Sequence, residues 1–439
     1  MPERLPVKRI VYGYSVVFGT VVLSIGLWLF EMARAGEMHT NPWIYPAKVG
    51  SHGTLILMCW AFILATRFGP IERLFGGLDQ VYKAHRIIGE TAFFLIFLHP
   101  IFLAAAFSDS LSGFARYLWF SDDWARNTGI LALTAFAVLV VLSIYWKIPY
   151  QKWKRTHDLF GLVLVLVAVH AVLGRGEMMK YPVLTVWYAS WTAVGLAAYI
   201  YIRVLYRFIG PQYDFVTTDV QKREAEVTEV YLEPVGRPMR FAAGQFLYVS
   251  FDSDAVTREP HPFSISSPPE EPTLRLSIKR LGDWTSDVHR IRPGERARVW
   301  GPYGHFGRVL QEQPNLPAVM IGGGIGITPM LSIIRSEAFA QRDEMSVVIY
   351  SVPRKEKQVY ADEITTRAEQ LPNLRGVMHL SDEAGYIDLD YLRETIERPL
   401  RDYVWMLCGP NAMTRSIEAQ LRGEGVRPKQ ILIEAFDIR

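Results

Sequence analysis

Four histidines stand as two pairs in apolar surroundings. His85 and His99 are 14 positions apart and His157 and His170 are 13 apart, in the stretches HRIIGETAFFLIFLHP and HDLFGLVLVLVAVH. An ionisable side chain at membrane depth marks a functional site. At about 1.5 Å of rise per residue each pair spans roughly 20 Å of helix. Two such helices side by side would therefore face each other across two His–His rungs, and each rung could hold a haem iron by both axial positions. A lone histidine on an apolar helix is more often a hydrogen-bonded core residue, but four at matched depths are not accounted for in that way. One tension accompanies the pattern: fourteen residues at about 100° each return close to the starting face, whereas thirteen leave His170 well off the face of His157. Either His157 sits in a first turn that can reorient, or a bulge rephases its helix.

The elements that must carry these residues are long apolar helices. Six segments, roughly 8–30, 49–66, 85–107, 128–146, 157–173 and 183–206, are long enough to span about 30 Å of hydrocarbon. The first is too long, and too closely followed by others, to be a cleaved signal peptide. Basic residues concentrate in alternate loops: Arg4, Lys8 and Arg9; Arg67, Arg73, Lys83 and Arg86; Lys147, Lys152, Lys154 and Arg155; Arg203 and Arg207. The intervening loops carry Glu31, Glu37, Asp109, Asp122 and Asp123. By the positive-inside rule both termini are expected in the cytoplasm. His85 and His157 then share the cytoplasmic leaflet, and His99 and His170 the outer one.

Of the 439 residues, the first 210 carry the long apolar runs and the remainder reads as soluble protein. Three domains are expected, at 1–210, 211–312 and 313–439. With only Cys59 and Cys408, the chain offers no disulfide framework and no thiolate cluster for iron–sulfur chemistry. The net charge of +3 says little, since the basic residues are spent on topology, and there is no nucleic-acid motif, repeat or low-complexity tract.

From about 212 to 310 short alternating strands (AEVTEVYLEP, GQFLYVSF, TLRLSIKR, ERARVWGPYG) argue for a small antiparallel β-barrel. From about 317 strands alternate with helices, which predicts an α/β domain with a parallel sheet and ligands at the carboxyl ends of its strands. Gly322, Gly323, Gly324, Ile325, Gly326, Ile327, Thr328 and Pro329 lie at such an end and open a helix. Backbone without a Cβ can approach a pyrophosphate there, and the helix N-terminus supplies free N–H groups. A second strand end, Cys408-Gly409-Pro410, lies where a nicotinamide could be held beside the first. In the barrel, the run His261, Pro262, Phe263, Ser264, Ile265, Ser266 and Ser267 puts Phe263 and Ile265 on one side of a strand and Ser264 and Ser266 on the other. That suits a flat ring stacked on one surface and hydrogen-bonded at its edge. Lys279, Gly282, Trp284 and Thr285, in KRLGDWTS, suit a diphosphate.

These features together resemble the NADPH oxidase and ferric reductase superfamily, including its prokaryotic members. The resemblance rests on the His spacings, HPFS, GDWT, GPYG at 301–304, GGGIGITP, CGP and the near-terminal aromatic Phe436. It implies a multidomain membrane protein: a six-helix transmembrane bundle with two b-type haems, an FAD-binding β-barrel, and an α/β NADP-binding domain similar to ferredoxin–NADP reductase. His261, Phe263, Ser264 and Ser266 would contact FAD, with Trp284 and Thr285 helping. Gly324, Gly326, Thr328 and Pro329 would receive the NADPH phosphates. Cys408 would lie near the nicotinamide, and Phe436 would cover the flavin until nicotinamide displaces it. Arg354, after the strand ending at Ser351, is placed for a 2′-phosphate, so NADPH is expected over NADH.

A flavin between a two-electron donor and one-electron haems explains why the parts occur together. Axial His/His ligation leaves no open iron position, so an acceptor would be reduced at the haem edge. Oxygen giving superoxide, a ferric chelate, and a partner protein or quinone remain open as acceptors. Animal oxidases carry a further His one turn after the outer ligand where this chain has Leu103; His52, near the outer end of the second span, is the polar group available instead. Phe93, Phe94 and Phe97 could bridge the rungs or fill the lipid face.

Overall fold

The computed structural model describes residues 7–146 and 150–434. Arg4, Lys147 and Phe436 lie outside them. The chain divides into two compact units at 208/209.

The first unit is helical: α1 Val7–Ala35, α2 Ile44–Ala65, α3 Gly69–Phe75, α4 Leu78–Ile96, α5 Leu98–Ala106, α6 Leu111–Tyr117, α7 Trp124–Ile144, α8 Tyr150–His157, α9 Phe160–Leu173, α10 Glu177–Lys180 and α11 Pro182–Ile200. They make six stretches long and apolar enough to cross a membrane: Ile10–Ala35, Ile44–Ala65, Gln80–Ala106, Trp124–Ile144, Lys152–Leu173 and Pro182–Leu205. Two of these are jointed, which sequence periodicity alone does not show. The third breaks at Phe97 between α4 and α5. Pro100 lacks an N–H and its ring crowds the carbonyl four residues back, so an unbroken helix is disfavoured there. The fifth breaks at Asp158–Leu159, where Leu159 N–H bonds Thr156 O (3.1 Å) and Leu162 N–H bonds Leu159 O (2.9 Å). These i→i−3 bonds wind the chain by about 120° per residue instead of about 100°, the sense needed to bring His170 round toward the face of His157. The 13-residue spacing is thus met by an interruption just after His157.

Helix α2 is the most enclosed of the six. It sits against α4 and α5 with little between the backbones: a Cβ on Gly50 would come within 2.9 Å of both His99 N and Leu95 O. Small residues permit such approach between membrane helices.

The second unit holds two sheets. β1 Gln212–Lys222, β2 Val227–Pro234, β3 Phe246–Asp252, β4 His261–Ser264, β5 Leu274–Lys279 and β6 Arg296–Tyr303 form an antiparallel sheet in the order β4-β3-β6-β1-β2-β5. A bridge from Ile265 to Leu276 nearly closes it into a barrel around Phe215, Leu247, Phe251, Leu276 and Val299. β7 Ala318–Gly323, β8 Ser346–Val352, β9 Leu374–Leu380, β10 Val404–Cys408 and β11 Ile431–Glu434 form a parallel sheet in the order β11-β10-β7-β8-β9. Strands β7, β8 and β10 are buried on both faces, which is why they read as continuous apolar runs rather than alternating ones. Arg275 of the barrel clasps Glu363 of the helix Ala361–Gln370 through both terminal nitrogens (2.9 Å each), and Ser332 Oγ donates to Ser267 O (2.7 Å). The helix that follows the glycine turn is thereby tied to the barrel strand end that carries Ser264.

Candidate functional site

In the helical unit the two His–His rungs are formed. The ring centroids of His85 and His157 are 5.9 Å apart, and those of His99 and His170 are 6.2 Å apart. An iron bound midway by two imidazoles at about 2 Å per metal–nitrogen bond puts the ring centres about 6 Å apart. The outward nitrogen of each ring is already committed. Nδ1 of His85 meets Ala61 O at 2.9 Å, that of His99 meets Ala47 O at 3.2 Å, and that of His170 meets Ala125 O at 2.7 Å. A carbonyl can only accept, so Nδ1 carries the proton in all three, and Nε2 keeps its lone pair for a metal. The fourth ring, His157, has Ser143 Oγ 3.2 Å from Nδ1 and Trp153 stacked against it at 4.9 Å.

Ala47 and Ala61 are themselves 14 residues apart on α2, so one helix braces both rungs at the histidines' own spacing. A backbone carbonyl has no sequence signature, and this bracing was invisible before the fold. Gly129 of α7 is a second unforeseen participant. A Cβ there would lie 2.7 Å from His170 Cε1 and 2.9 Å from Nδ1, closer than packed atoms allow. Gly89, one turn after His85, opens onto free space.

Among the described residues no three His, Cys, Asp or Glu side chains gather as a metal cage. Two imidazoles per rung leave a bare ion under-coordinated but suffice for an iron whose other four ligands come from a macrocycle. The residues present therefore fit haem. His52 lies apart: two residues on from Gly50, it projects to the other side of α2, buried against Trp28 (5.4 Å) and Tyr188 (4.8 Å). Phe94 points outward at 64% exposure, whereas Phe93 continues a run of rings, Phe97–Phe93–Phe136–Phe160–His157, with centroids 5.0–6.3 Å apart.

In the barrel, His261, Phe263 and Trp284 come together. Trp284 stacks on Phe263 at 5.7 Å and lies 4.2 Å from His261, and its indole N–H donates to Thr257 O. The Ser264 hydroxyl is buried with no hydrogen-bond partner among the described residues, a condition costing about 1–3 kcal/mol unless a ligand answers it. That orphan fits the edge of a flavin ring. Ser266 and Ser267 are spent within the protein: Ser266 Oγ donates to Arg275 O and shares a bond with Ser277, and Ser267 Oγ accepts from Arg275 N. Ile265 is in the barrel core and Pro262 pairs with Tyr248 in the ladder. Thr285 Oγ1 accepts from the N–H groups of Leu281 and Gly282, shaping the loop after Lys279.

In the parallel sheet the two glycine turns lie back to back, because β7 and β10 are neighbours with Gly322 opposite Cys408. A Cβ on Gly326 would fall 2.3 Å from Cys408 O, and one on Gly323 2.8 Å from Pro410 Cδ. Gly324 adopts a left-handed conformation (φ +55°), and the turn Gly324–Ile327 leads into the helix Thr328–Arg335 with Pro329 in its first turn. Thr328, Gly409 and Ile325 complete the turns, while Cys408 is wholly buried. Burial, reinforced by Glu434, pushes the Cys408 thiol well above its ordinary range, so it stays protonated. Glu434 ends β11 directly opposite Cys408, a neighbour that motif reading did not single out.

Three family models match successive parts of the chain: a ferric reductase like transmembrane component over residues 52–168, an FAD-binding domain over 212–323, and an oxidoreductase NAD-binding domain over 320–419. The chain thus carries a ferric reductase like transmembrane domain followed by FAD-binding and NAD-binding domains. The chain is similar to NADPH oxidase 1 of Mus musculus (35% identity, covering 48% of the chain and 41% of that protein). It is also similar to dual oxidase 1 of Homo sapiens (26%, covering 76% and 22%) and to a flavohemoprotein of Oceanobacillus iheyensis (26%, covering 51% and 58%). The chain thus spans about three fifths or less of the length of these relatives. Among solved structures, a flavohemoglobin from Malassezia yamatoensis with bound FAD and heme matches at 19% identity and a TM-score of 0.49, covering 86% of this chain and 98% of that one.

The Gly129 contact yields a direct expectation. Gly129→Ala should push the His170 ring off its Ala125 bond and, if the His99–His170 rung holds a haem, lower its affinity by about 10–100-fold, the usual cost of disturbing a ligand's support. Haem content per chain measures it. An unaltered content and spectrum would show that the ring tolerates the methyl group.

Proposed function

We propose that the protein carries electrons across a membrane from NADPH, through FAD and two b-type haems, to an acceptor on the opposite side, with oxygen giving superoxide the favoured acceptor. The observation that carries this reading is the pair of histidine rungs, each with its outward nitrogens engaged and its inward nitrogens facing. Their occurrence in one chain with a flavin-type barrel and a dinucleotide-type sheet supplies the donor end. FAD converts a hydride into single electrons, and haem irons take electrons one at a time.

The chain's own residues do the positioning. His85 and His157 would hold one haem, His99 and His170 the other. Phe263 and Trp284 offer a stacking surface for the flavin, and the Ser264 hydroxyl a hydrogen bond at its edge; Lys279 and Gly282 border the neighbouring loop. Gly322–Gly326, Thr328 and Pro329 would cradle the dinucleotide phosphates, with Gly409 and Pro410 closing the opposite wall. Arg354 would meet a 2′-phosphate, and Phe436 would cover the flavin face. The protonated, buried Cys408 thiol acts by shape rather than as a nucleophile. Each haem would be held by two imidazoles, so an acceptor would be reduced without binding the iron. By the positive-inside rule the dehydrogenase unit and both termini would lie on the cytoplasmic side of the plasma or inner membrane.

A ferric chelate reductase, or electron delivery to an extracytoplasmic protein or quinone, would use the same parts. Steady-state turnover of the purified protein with NADPH, FAD and oxygen as sole acceptor separates them. Superoxide formed at a rate matching NADPH consumption supports the oxidase reading. Turnover only on addition of a ferric chelate or quinone would replace it.

A further inference from the structure

The carboxyl ends of β8 and β9 hold two groups with opposed demands on a dinucleotide. β8 is the strand next to β7, which carries the glycine turn, and β9 follows it. In sheets of this kind the residues just beyond that neighbouring strand meet the 2′ position of the adenosine ribose: a carboxylate accepts from a 2′-hydroxyl, and an arginine donates to a 2′-phosphate. This chain has both. Arg354 follows β8, and Asp382 follows β9 in the short helix Ser381–Ala384.

They are paired with each other. Arg354 Nε donates to Asp382 Oδ2 at 2.7 Å, and this partner raises the guanidinium's already high pKa. The juxtaposition is built into the backbone as well, since Asp382 N–H donates to Pro353 O at 3.1 Å. Both side chains remain open to solvent, at 74% and 46% exposure, so an arriving nucleotide can reach either. A 2′-phosphate must take Arg354 from Asp382 and bring its own negative charge beside that carboxylate. A 2′-hydroxyl has no such conflict and can donate to Asp382 while the pair stays intact.

We propose that Asp382 sets the nucleotide preference of this site, holding Arg354 in the free protein and accepting from a ribose 2′-hydroxyl, so that NADH is used as well as NADPH. The inference rests on the dinucleotide reading of the sheet given above.

Anaerobic rapid mixing of the full-length, FAD-loaded protein with NADPH or NADH, followed at the flavin band, tests it. Wild type should reduce its flavin with both nucleotides. Asp382→Asn should raise the NADPH/NADH ratio of kcat/KM by up to about fivefold, the range set by one exposed ion pair, chiefly through the KM for NADPH. Arg354→Gln should lower that ratio. Inhibition by 2′-phospho-AMP should strengthen in Asp382→Asn while inhibition by AMP does not. A ratio unchanged or lowered in Asp382→Asn, with flavin still reduced by both nucleotides, overturns the role of Asp382 alone. Failure of NADH alone to reduce the wild-type flavin overturns this inference, whereas failure of both nucleotides overturns the dinucleotide reading itself and this inference with it.

Discussion

His99→Ala or His170→Ala should yield a protein that has lost one haem, still reduces its flavin with NADPH, and passes electrons to an external acceptor more than about 100-fold more slowly, since loss of a ligand exceeds the 10–100-fold cost of losing a ligand's support. The reason is geometric. Each rung offers two imidazoles about one iron's width apart, with no third donor among the described residues to take over. His85→Ala or His157→Ala should differ in kind. The outer haem would remain bound but would no longer be reduced by NADPH, because on the proposed route its supply would run through the inner rung. Dithionite, which reduces haem directly, distinguishes the two cases. If His99→Ala retains both haems, the pairing of these helices is wrong.

Gly326→Val should abolish entry of electrons while leaving the membrane unit loaded. Its Cβ would fall on the carbonyl oxygen of Cys408, at 2.3 Å, so the two turns proposed to cradle the nucleotide must part. Neither turn can yield by a side-chain rotation, since the contact is with backbone. A displacement of about 1 Å in a positioning loop costs about 100-fold in rate, and NADPH kcat/KM should fall at least that far. Haem content, FAD content and dithionite-reduced spectra should match wild type. A variant that keeps NADPH-driven flavin reduction would show that this turn does not face the nucleotide.

Much of the architecture was legible because its determinants are periodic. Six apolar stretches, short alternating strands and then apolar strands separated by helices read directly as membrane helices, a barrel and a parallel sheet. The joints at Phe97 and Asp158–Leu159 were less legible, since a proline three residues after a break and a brief overwinding leave the hydrophobic pattern intact. Within the site, side chains with distinctive chemistry stood out and backbone partners did not. The carbonyls of Ala47, Ala61 and Ala125 orient three of the four histidines, yet alanine in an apolar helix carries no signal. Ser264 and Ser266 illustrate the converse: alternation treats them alike, but a single cross-strand arginine engages Ser266 and leaves Ser264 without a partner. His52 attracted notice by residue type alone, and two residues of helical rotation put it on the side of α2 away from the rungs.

The central claim is that one chain holds two haems on the four membrane histidines and fills them with electrons from a pyridine nucleotide. Anaerobic addition of excess NADPH to purified protein of known haem content tests it most directly. The account predicts two b-type haems per chain, both showing the sharpened absorption of the reduced iron. Fewer than two haems per chain, or two that dithionite reduces and NADPH does not, would contradict it.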